Sequence, residues 1–436
     1  MNVEGTVYRL LVSKKAHLSV FVAMYILLAI EYRRFVYTNY YYLMGFDYSV
    51  SPVAFMLGLG LVMLTVAVMF LVPREDDGSY VVAMMVALLF CLPSIVMFQF
   101  GGTSVFIPLY TMLFLILVRT PLIRVKRWRV PKMSPRWQRF VLPAVCLLCL
   151  LPFPLAYGLN IDFSLLGMGE NTYDVRAEVS SRETVLTAYL MGPLRMVLLP
   201  MLIVYGMCNF KRDWWMTVAG VAGLLFLFLL NPQKSIFFSI AVVLAFYFFR
   251  SHYAKAGMVL FGLMAAAVLS VLLNVATGHL MAESIVVRRL FYIPVIVSDS
   301  YFTFFDANPM CLSHSFLKAF FDYPYQLEPS RLIGTMMYNR VSTNCNTGIV
   351  ADGFMNFGHV GAVMFVACAG LFVRLVGAYL GNGRFFGLLA LLVYCFLNSA
   401  FFTTLLTHGG LALLLAVVFL IPDERSDHDE GVVCTD

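Results

Sequence analysis

Charged residues are scarce in this chain. Asp, Glu, Lys and Arg make up 12% of its 436 residues, whereas 61% are hydrophobic. Soluble domains carry about 25% charged residues, so this composition excludes a soluble globular protein. The apolar runs instead approach the length of about 20 residues that a transmembrane helix needs. Because every backbone amide in lipid must be bonded within its own segment, the sequence predicts an all-α polytopic membrane protein.

Other features are missing as well. No internal repeat is evident, although repeats are common in transporters of this size. The only D-x-D motif, at Asp427 and Asp429, lies in the C-terminal tail, and we expect neither a metal nor a cofactor. Of the nine cysteines, only Cys311 and Cys345 share the large polar segment described below. A disulfide between them is possible in an oxidising compartment, but spacing does not establish the pair.

About twelve apolar runs have the character of membrane spans. They form a single membrane domain over residues 1–436 and lie at 17–32, 53–72, 80–98, 104–118, 140–158, 185–207, 214–230, 236–249, 257–276, 358–378, 385–403 and 407–421.

The orientation of these spans follows from the basic residues. Residues 119–139 hold eight Lys or Arg and no acid, which marks a cytoplasmic loop under the positive-inside rule. If the helices alternate, both termini, including the tail 422–436, are cytoplasmic, and residues 159–184 and 277–357 form external loops. The basic loop alone exceeds the net charge of +6, so nucleic-acid binding is not needed to explain the charge.

A minority of basic residues falls on the external side, against this trend. They are Arg33, Arg34, Arg176, Arg182, Lys234 and five Lys or Arg within residues 277–357.

The segment 277–357 is the longest polar interruption of the chain. Near its start, Arg288 and Arg289 precede the apolar run 290–297, which is too short to span and is broken by Pro294. This run should lie in the membrane interface, with both guanidiniums at headgroup depth. Arginine forks bind phosphate, and Tyr292 and the aromatic residues after it could stack on sugar rings. Alternatively, the two arginines snorkel to ordinary phospholipid.

The same segment ends in NTGIVADGFMNFGHVG, where turn formers such as Asn346 precede the next predicted span. Asp352 and His359 are the acid and the imidazole at this helix mouth. Either could accept a proton from a hydroxyl as a general base. Equally, Asp352 could be a turn or capping residue and His359 an interfacial packing residue.

Four further residues outside this segment are candidates for ligand binding. Arg176, next to Tyr173 in the 159–184 loop, could bind a diphosphate or an acidic sugar, or form a surface ion pair with a neighbouring acid. Arg195 lies either deep in the sixth span, where charge is usually functional, or near its end, where it snorkels. Lys234 could contact phosphate or cap a helix. His408, at an external turn, is a candidate catalytic or sugar-binding residue.

Several stretches together resemble a known family. They are YDVR, RRLFYIP with SYFTFF, P-x-R-x-IG around Arg331, NTGIVADGFMNFGHVG, and LNSAFFTTLLTHGG. Their order, spacing and sidedness resemble those of the bacterial oligosaccharide repeat-unit polymerases, the Wzy-like O-antigen polymerases. The resemblance covers roughly residues 170 to 415.

This resemblance implies a metal-independent glycosyltransferase, similar to the membrane glycosyltransferases of C-type architecture, in the bacterial inner membrane. It implies that glycan on undecaprenyl diphosphate is joined to another lipid-linked unit on the external face, releasing lipid diphosphate. Arg176, Arg288 and Arg289 match the external arginines of the family. The implied partners are undecaprenyl-diphosphate-linked oligosaccharides, membrane lipids, a chain-length regulator and a flippase, with no nucleic acid.

One pattern of the family is not present. Some members have a glycine eleven positions after an external arginine, but Thr187, Asp299 and Ser300 occupy those positions here. Two other functions remain open, namely an O-antigen ligase and a flippase or exporter of lipid-linked sugars. A transporter should place charges in several helices, and Arg195 is almost the only deep charge, which favours the enzyme.

Overall fold

The computed structural model describes residues 3–73, 78–120, 122, 125, 128, 130–158, 182–233, 235–315, 317–380 and 383–421. Within these ranges every regular element is a helix. In chain order they are α1 Val3–Val12, α2 Lys14–Tyr40, α3 Pro52–Phe70, α4 Ser79–Phe100, α5 Phe106–Arg119, α6 Arg136–Tyr157, α7 Val185–Cys208, α8 Phe210–Leu230, α9 Ser235–Phe248, α10 His252–Thr277, α11 over residues 281–305, α12 Pro329–Tyr338, α13 Ile349–Tyr379, α14 Gly383–Asn398, α15 Phe401–Leu406 and α16 Gly410–Phe419.

Eight of these helices are long and apolar enough to cross a membrane, namely α2, α3, α4, α6, α7, α8, α10 and α13. The described part of the chain is therefore all-helical, and the chain is a polytopic membrane protein, as its composition predicts. The four shorter apolar helices α5, α9, α14 and α16 coincide with the remaining predicted spans.

Residues 277–357 differ most from the sequence-based expectation. The sequence predicts a loop for this segment, but α11, α12 and the start of α13 occupy much of it. Helix α13 begins at Ile349, well before the predicted start at 358, and all of its residues from 349 to 356 are buried. The polar residues of this stretch can enter a helix because Asp352 and Asn356 accept backbone N–H groups of neighbouring segments.

The described residues of the chain divide into two compact units. The first comprises residues 1–125, 251–374 and 393–401, and the second comprises 126–250, 375–392 and 402–436. Each unit is therefore assembled from separate stretches of the sequence.

In the first unit, α4 is the central helix, and nearly all of its residues are buried. Helices α2, α3, α5 and α10 pack around it. A pair of hydroxyls lies inside this apolar core, where Ser94 Oγ and Thr111 Oγ1 are 3.1 Å apart and each also bonds to a carbonyl of its own helix. Bonding of this kind satisfies buried hydroxyls without a charge.

In the second unit, α7 and α8 form a close antiparallel pair. A Cβ atom on Gly206 of α7 would lie 2.5 Å from the backbone nitrogen of Thr217, and one on Gly220 of α8 would lie 2.9 Å from the carbonyl oxygen of Leu199. Small residues of this kind allow membrane helices to approach closely. Next to the pair, Arg139 Nε donates to Asp213 Oδ2 at 3.0 Å, so a largely buried ion pair joins α6 to α8.

Helix α13 turns back on itself near its start. Gly358 has φ 61° and ψ −150°, a conformation that is open only to glycine. After this turn Gly361 lies against Gly353, since a Cβ on Gly353 would be 2.4 Å from the carbonyl oxygen of Gly361. In a straight helix two residues with this separation would be about 12 Å apart. Residues 349–356 thus form a short buried arm that folds against the rest of α13.

Candidate functional site

The arginine pair Arg288 and Arg289 lies on a widened, π-helical stretch of α11, Ser284–Tyr292. Such stretches are uncommon and are often found at functional sites. Its last residue, Tyr292, is fully buried, donates its hydroxyl to the carbonyl of Leu28 at 2.5 Å and packs on the ring of Tyr32 at 5.3 Å. The sequence predicts that Tyr292 contacts substrate, but these contacts favour a role in fixing the π-helical stretch.

The guanidinium of Arg288 is held from two sides. Its Nε donates to Ser284 Oγ at 3.0 Å, and its central carbon lies 4.2 Å from the ring centroid of Tyr40. Neither terminal nitrogen has a partner among the described residues. Arg289 is exposed. Burial raises the pKa of Tyr338, and the charges of Arg288 and Arg289 partly oppose that rise. Arg288 and Arg289 can therefore bind an anion through free N–H groups.

Asp352 lies in the buried arm of α13 and is 2% exposed. One carboxylate oxygen accepts the backbone N–H of Phe401 at 2.8 Å, and the other accepts Asn356 Nδ2 at 3.1 Å. Of the two roles that the sequence left open for Asp352, this geometry favours the structural one.

Asn356 extends the same network. Its Oδ1 accepts the backbone N–H of Leu312, and its carbonyl accepts the N–H of Cys311. Cys311 and Leu312 have φ values of 49° and 60°, which non-glycine residues rarely adopt. The buried arm therefore holds a sharp turn of the preceding segment. Cys311, in this turn, and Cys345 are both free thiols.

His359 directly follows the turn of α13 and is exposed. Its Nδ1 is 2.7 Å from the hydroxyl of Tyr110, which leaves Nε2 without a partner in the described part of the chain. The centroid of its ring also lies 4.3 Å from the ring centroid of Phe106 and 5.1 Å from that of Phe354. We call these four residues the His359 cluster. The arrangement fixes the imidazole and keeps one nitrogen accessible.

Asp299 is a further candidate, which in the sequence stands out only as a departure from the family pattern. It lies on α11, and its Oδ1 accepts the backbone N–H of Ser104 at 2.8 Å. Burial raises the pKa of Asp299, and the bond from Ser104 partly opposes this. Ser104 precedes Phe106 by two residues, so Asp299 lies near the His359 cluster. The signal in the sequence was a single acid in the apolar run Ile293–Phe305.

Arg331 and Asn346 are both exposed, on α12 and just before α13 respectively. The first unit thus contains Arg288, Arg289, Arg331, Asn346 and His359 as accessible residues, whereas Tyr292 and Asp352 are buried.

The second unit contains Arg195 and His408. Arg195 is half-buried on the π-helical stretch Leu194–Leu198 of α7, and its Nη1 donates to Ser235 Oγ at 2.9 Å. Burial is the main reason that the pKa of His408 is lowered to about 4, and the positive charge of Arg195 is the second. Gly409, with φ 87°, brings the turn of His408 against Pro193. Of the remaining predicted site residues, Tyr173, Arg176 and Lys234 lie outside the described residues.

Within the described ranges, no three His, Cys, Asp or Glu side chains come together in a way that could hold a metal ion. No protein-family model, curated protein or solved structure matches the chain.

Proposed function

We propose that this chain is a glycosyltransferase of the bacterial inner membrane. In this proposal it crosses the membrane twelve times, with both termini in the cytoplasm. It joins undecaprenyl-diphosphate-linked oligosaccharide units on the external face. The main support is the combination, in one compact unit, of arginines with free N–H groups and an accessible imidazole that a tyrosine orients.

The arginines have a defined task in such a reaction. The bond between the anomeric carbon of the donor sugar and the diphosphate oxygen breaks, and the diphosphate leaves with the electron pair. Negative charge therefore increases on the leaving oxygen, and Arg288 and Arg289 stabilise it through charge-assisted hydrogen bonds. Arg331 is a further contact for the anionic substrate. Arg176 is another, which we assign because the chain resembles the polymerase family.

The acceptor hydroxyl forms the new bond to the anomeric carbon and loses its proton. In our proposal His359 Nε2 accepts this proton, while Tyr110 holds Nδ1 and orients the ring. Asp299 is the second group that could take this role, because it is half-buried near the same cluster. Asp352 is too enclosed to approach a hydroxyl without unfolding of the arm.

The test is the surface polysaccharide of a strain from which the gene for this chain is deleted. If the proposal is right, gels show a single repeat unit on the lipid A core and no ladder, and the wild-type gene restores the ladder. Unattached polymer would indicate a ligase instead. Loss of every exported unit would indicate a flippase. Either of the last two results rejects the polymerase.

A further inference from the structure

Arg33 and Arg34 follow the first predicted span, and the proposed reaction assigns no role to them. They lie on another π-helical stretch, Tyr32–Tyr37, at the end of α2. This stretch packs against the π-helical stretch of α11 that contains Arg288 and Arg289. Two arginine pairs that are about 250 residues apart in the sequence therefore lie at the same end of the first unit.

Arg34 joins the two stretches. Its guanidinium contacts buried Glu31 of its own helix and buried Glu283 at the start of α11, each at 2.6 Å. Asn274 of α10 also donates to Glu283 at 2.7 Å. Two carboxylates therefore hold the charge of Arg34, and its role is structural.

Arg33 is different, because no acid among the described residues pairs with it. Its guanidinium lies 5.4 Å from the ring centroid of Tyr48, and Tyr48 in turn lies 5.5 Å from Tyr37. Arg288 rests on Tyr40 in the same short tyrosine-rich segment. A guanidinium that lies on an aromatic face keeps its N–H fork free for an anion.

We propose that Arg33, Arg288 and Arg289, which we call the arginine rim, bind the phosphorylated headgroup of a lipid. Three cations that share one end of a unit repel one another, and a phosphate between them removes that repulsion.

The lipid is favoured over a soluble anion by the surface next to the rim. Tyr41 and Tyr42 are 64% and 69% exposed, and Met44 is 43% exposed. Exposed tyrosines beside apolar residues at a helix end are typical of the membrane interface. The choice of a lipid diphosphate as the principal ligand rests on the proposed function, whereas binding of a lipid phosphate does not.

The experiment measures binding to the full-length chain in nanodiscs of neutral lipid. The probes are undecaprenyl diphosphate, phosphatidylglycerol and inorganic pyrophosphate. Arg33→Ala removes a charge-assisted contact, so it should weaken binding of the lipid probe about tenfold or more. The affinity of Arg33→Lys should lie between those of the wild type and Arg33→Ala, because lysine retains the charge but lacks the N–H fork of arginine. The control is Arg340→Ala, which removes an exposed arginine from another segment and should change little.

The outcomes separate the possible ligands. If Arg33→Ala weakens binding of undecaprenyl diphosphate alone, the rim is a specific site for that lipid. If it weakens binding of both lipids equally, the rim is a general lipid-phosphate site. Both results support the proposal. Weaker binding of pyrophosphate with unchanged lipid binding overturns the proposal in favour of a soluble anion. Equal affinities of the wild type, Arg33→Ala and Arg340→Ala for all probes also overturn it.

The rim and the proposed function can fail separately. If Arg33→Ala loses lipid binding but the deletion strain still makes polymer, the rim stands and the polymerase is wrong. If the deletion strain has the single-unit phenotype and Arg33→Ala binds like the wild type, the polymerase stands and the rim is wrong.

Discussion

At the scale of single residues, His359 combines exposure with a fixed orientation. Tyr110 engages one ring nitrogen, and Phe106 and Phe354 limit rotation of the ring. A group that takes up a proton during a reaction needs both properties, because it must reach the hydroxyl and approach it at a reproducible angle.

We therefore expect His359→Ala to slow chain lengthening about 100-fold or more, the usual contribution of a general base. Tyr110→Phe should lower kcat about tenfold with little change in KM, because it leaves the imidazole present but poorly oriented. The measurement is incorporation of labelled lipid-linked units by purified protein. His279→Ala, at an exposed histidine outside the cluster, is the control. Full activity of His359→Ala would leave Asp299 as the base to examine.

Asp352 should affect stability more than chemistry. Asp352→Ala leaves the N–H of Phe401 buried without an acceptor, which costs about 1–3 kcal/mol. We expect a lower thermal midpoint in detergent for Asp352→Ala, and a smaller decrease for Asp352→Asn, which keeps one acceptor oxygen. Asp306→Ala, at an exposed acid, is the matched control. An unchanged midpoint with complete loss of activity would restore the catalytic role.

His408 should make the protein sensitive to acid. Its pKa is about 4 in the folded chain, below the ordinary value of 6.5, because burial and Arg195 disfavour the charged ring. Between these pH values the unfolded state binds the proton and the folded state does not, so stability decreases as the pH falls from 6.5 to 4.

His408→Gln removes this titration, so its thermal midpoint should fall less than that of the wild type across the same range. Scanning fluorimetry of both proteins at several pH values measures the difference. Parallel curves would show that burial of His408 in the folded chain does not contribute to the sensitivity to acid.

At the scale of elements, the turn in α13 depends on glycines. A Cβ on Gly353 would meet the backbone of Gly361, and a Cβ on Gly361 would meet the backbone of Gly353. Backbone cannot move away as a flexible side chain can. Gly353→Ala and Gly361→Ala should therefore lower the thermal midpoint and reduce activity, because the arm leads directly to His359.

Gly262 in the middle of α10 provides the matched control. No atom lies within 4 Å of a Cβ built there, and alanine is a better helix former than glycine. Gly262→Ala should leave the midpoint unchanged or raise it. If all three alanine variants behaved alike, close packing of the arm would not matter to stability.

At the scale of the whole molecule, sidedness is the property to establish. The positive-inside rule predicts that the basic loop 119–139 is cytoplasmic and that residues 277–357 are external. A fluorescent protein fused after residue 128 should fluoresce, whereas alkaline phosphatase fused after residue 309 should be active. The reverse pattern would place the arginine rim in the cytoplasm, where the proposed acceptor and donor units are not joined.

Most of the helical architecture was predictable from sequence, because the apolar length of a segment is a local property. The early start of α13 was not, since residues 349–356 contain Asp, Gly and Asn. These residues enter a buried helix only because Asp352 and Asn356 find partners at Phe401 and Leu312. Nor could the sequence predict which segments form each of the two units, because each unit combines stretches that are far apart in the chain.

The candidate site was likewise predictable from sequence only in part. The sequence alone determined that the chain enters a membrane as helices and which arginines and histidines interrupt its apolar runs, because these follow from residue type and order. Only the tertiary structure decided that Asp352 is enclosed, that Tyr110 holds His359 and that Arg33 lies at the same end of the unit as Arg288. Such pairings depend on contacts between distant segments, and packing of the helices, not residue type, brings those segments together.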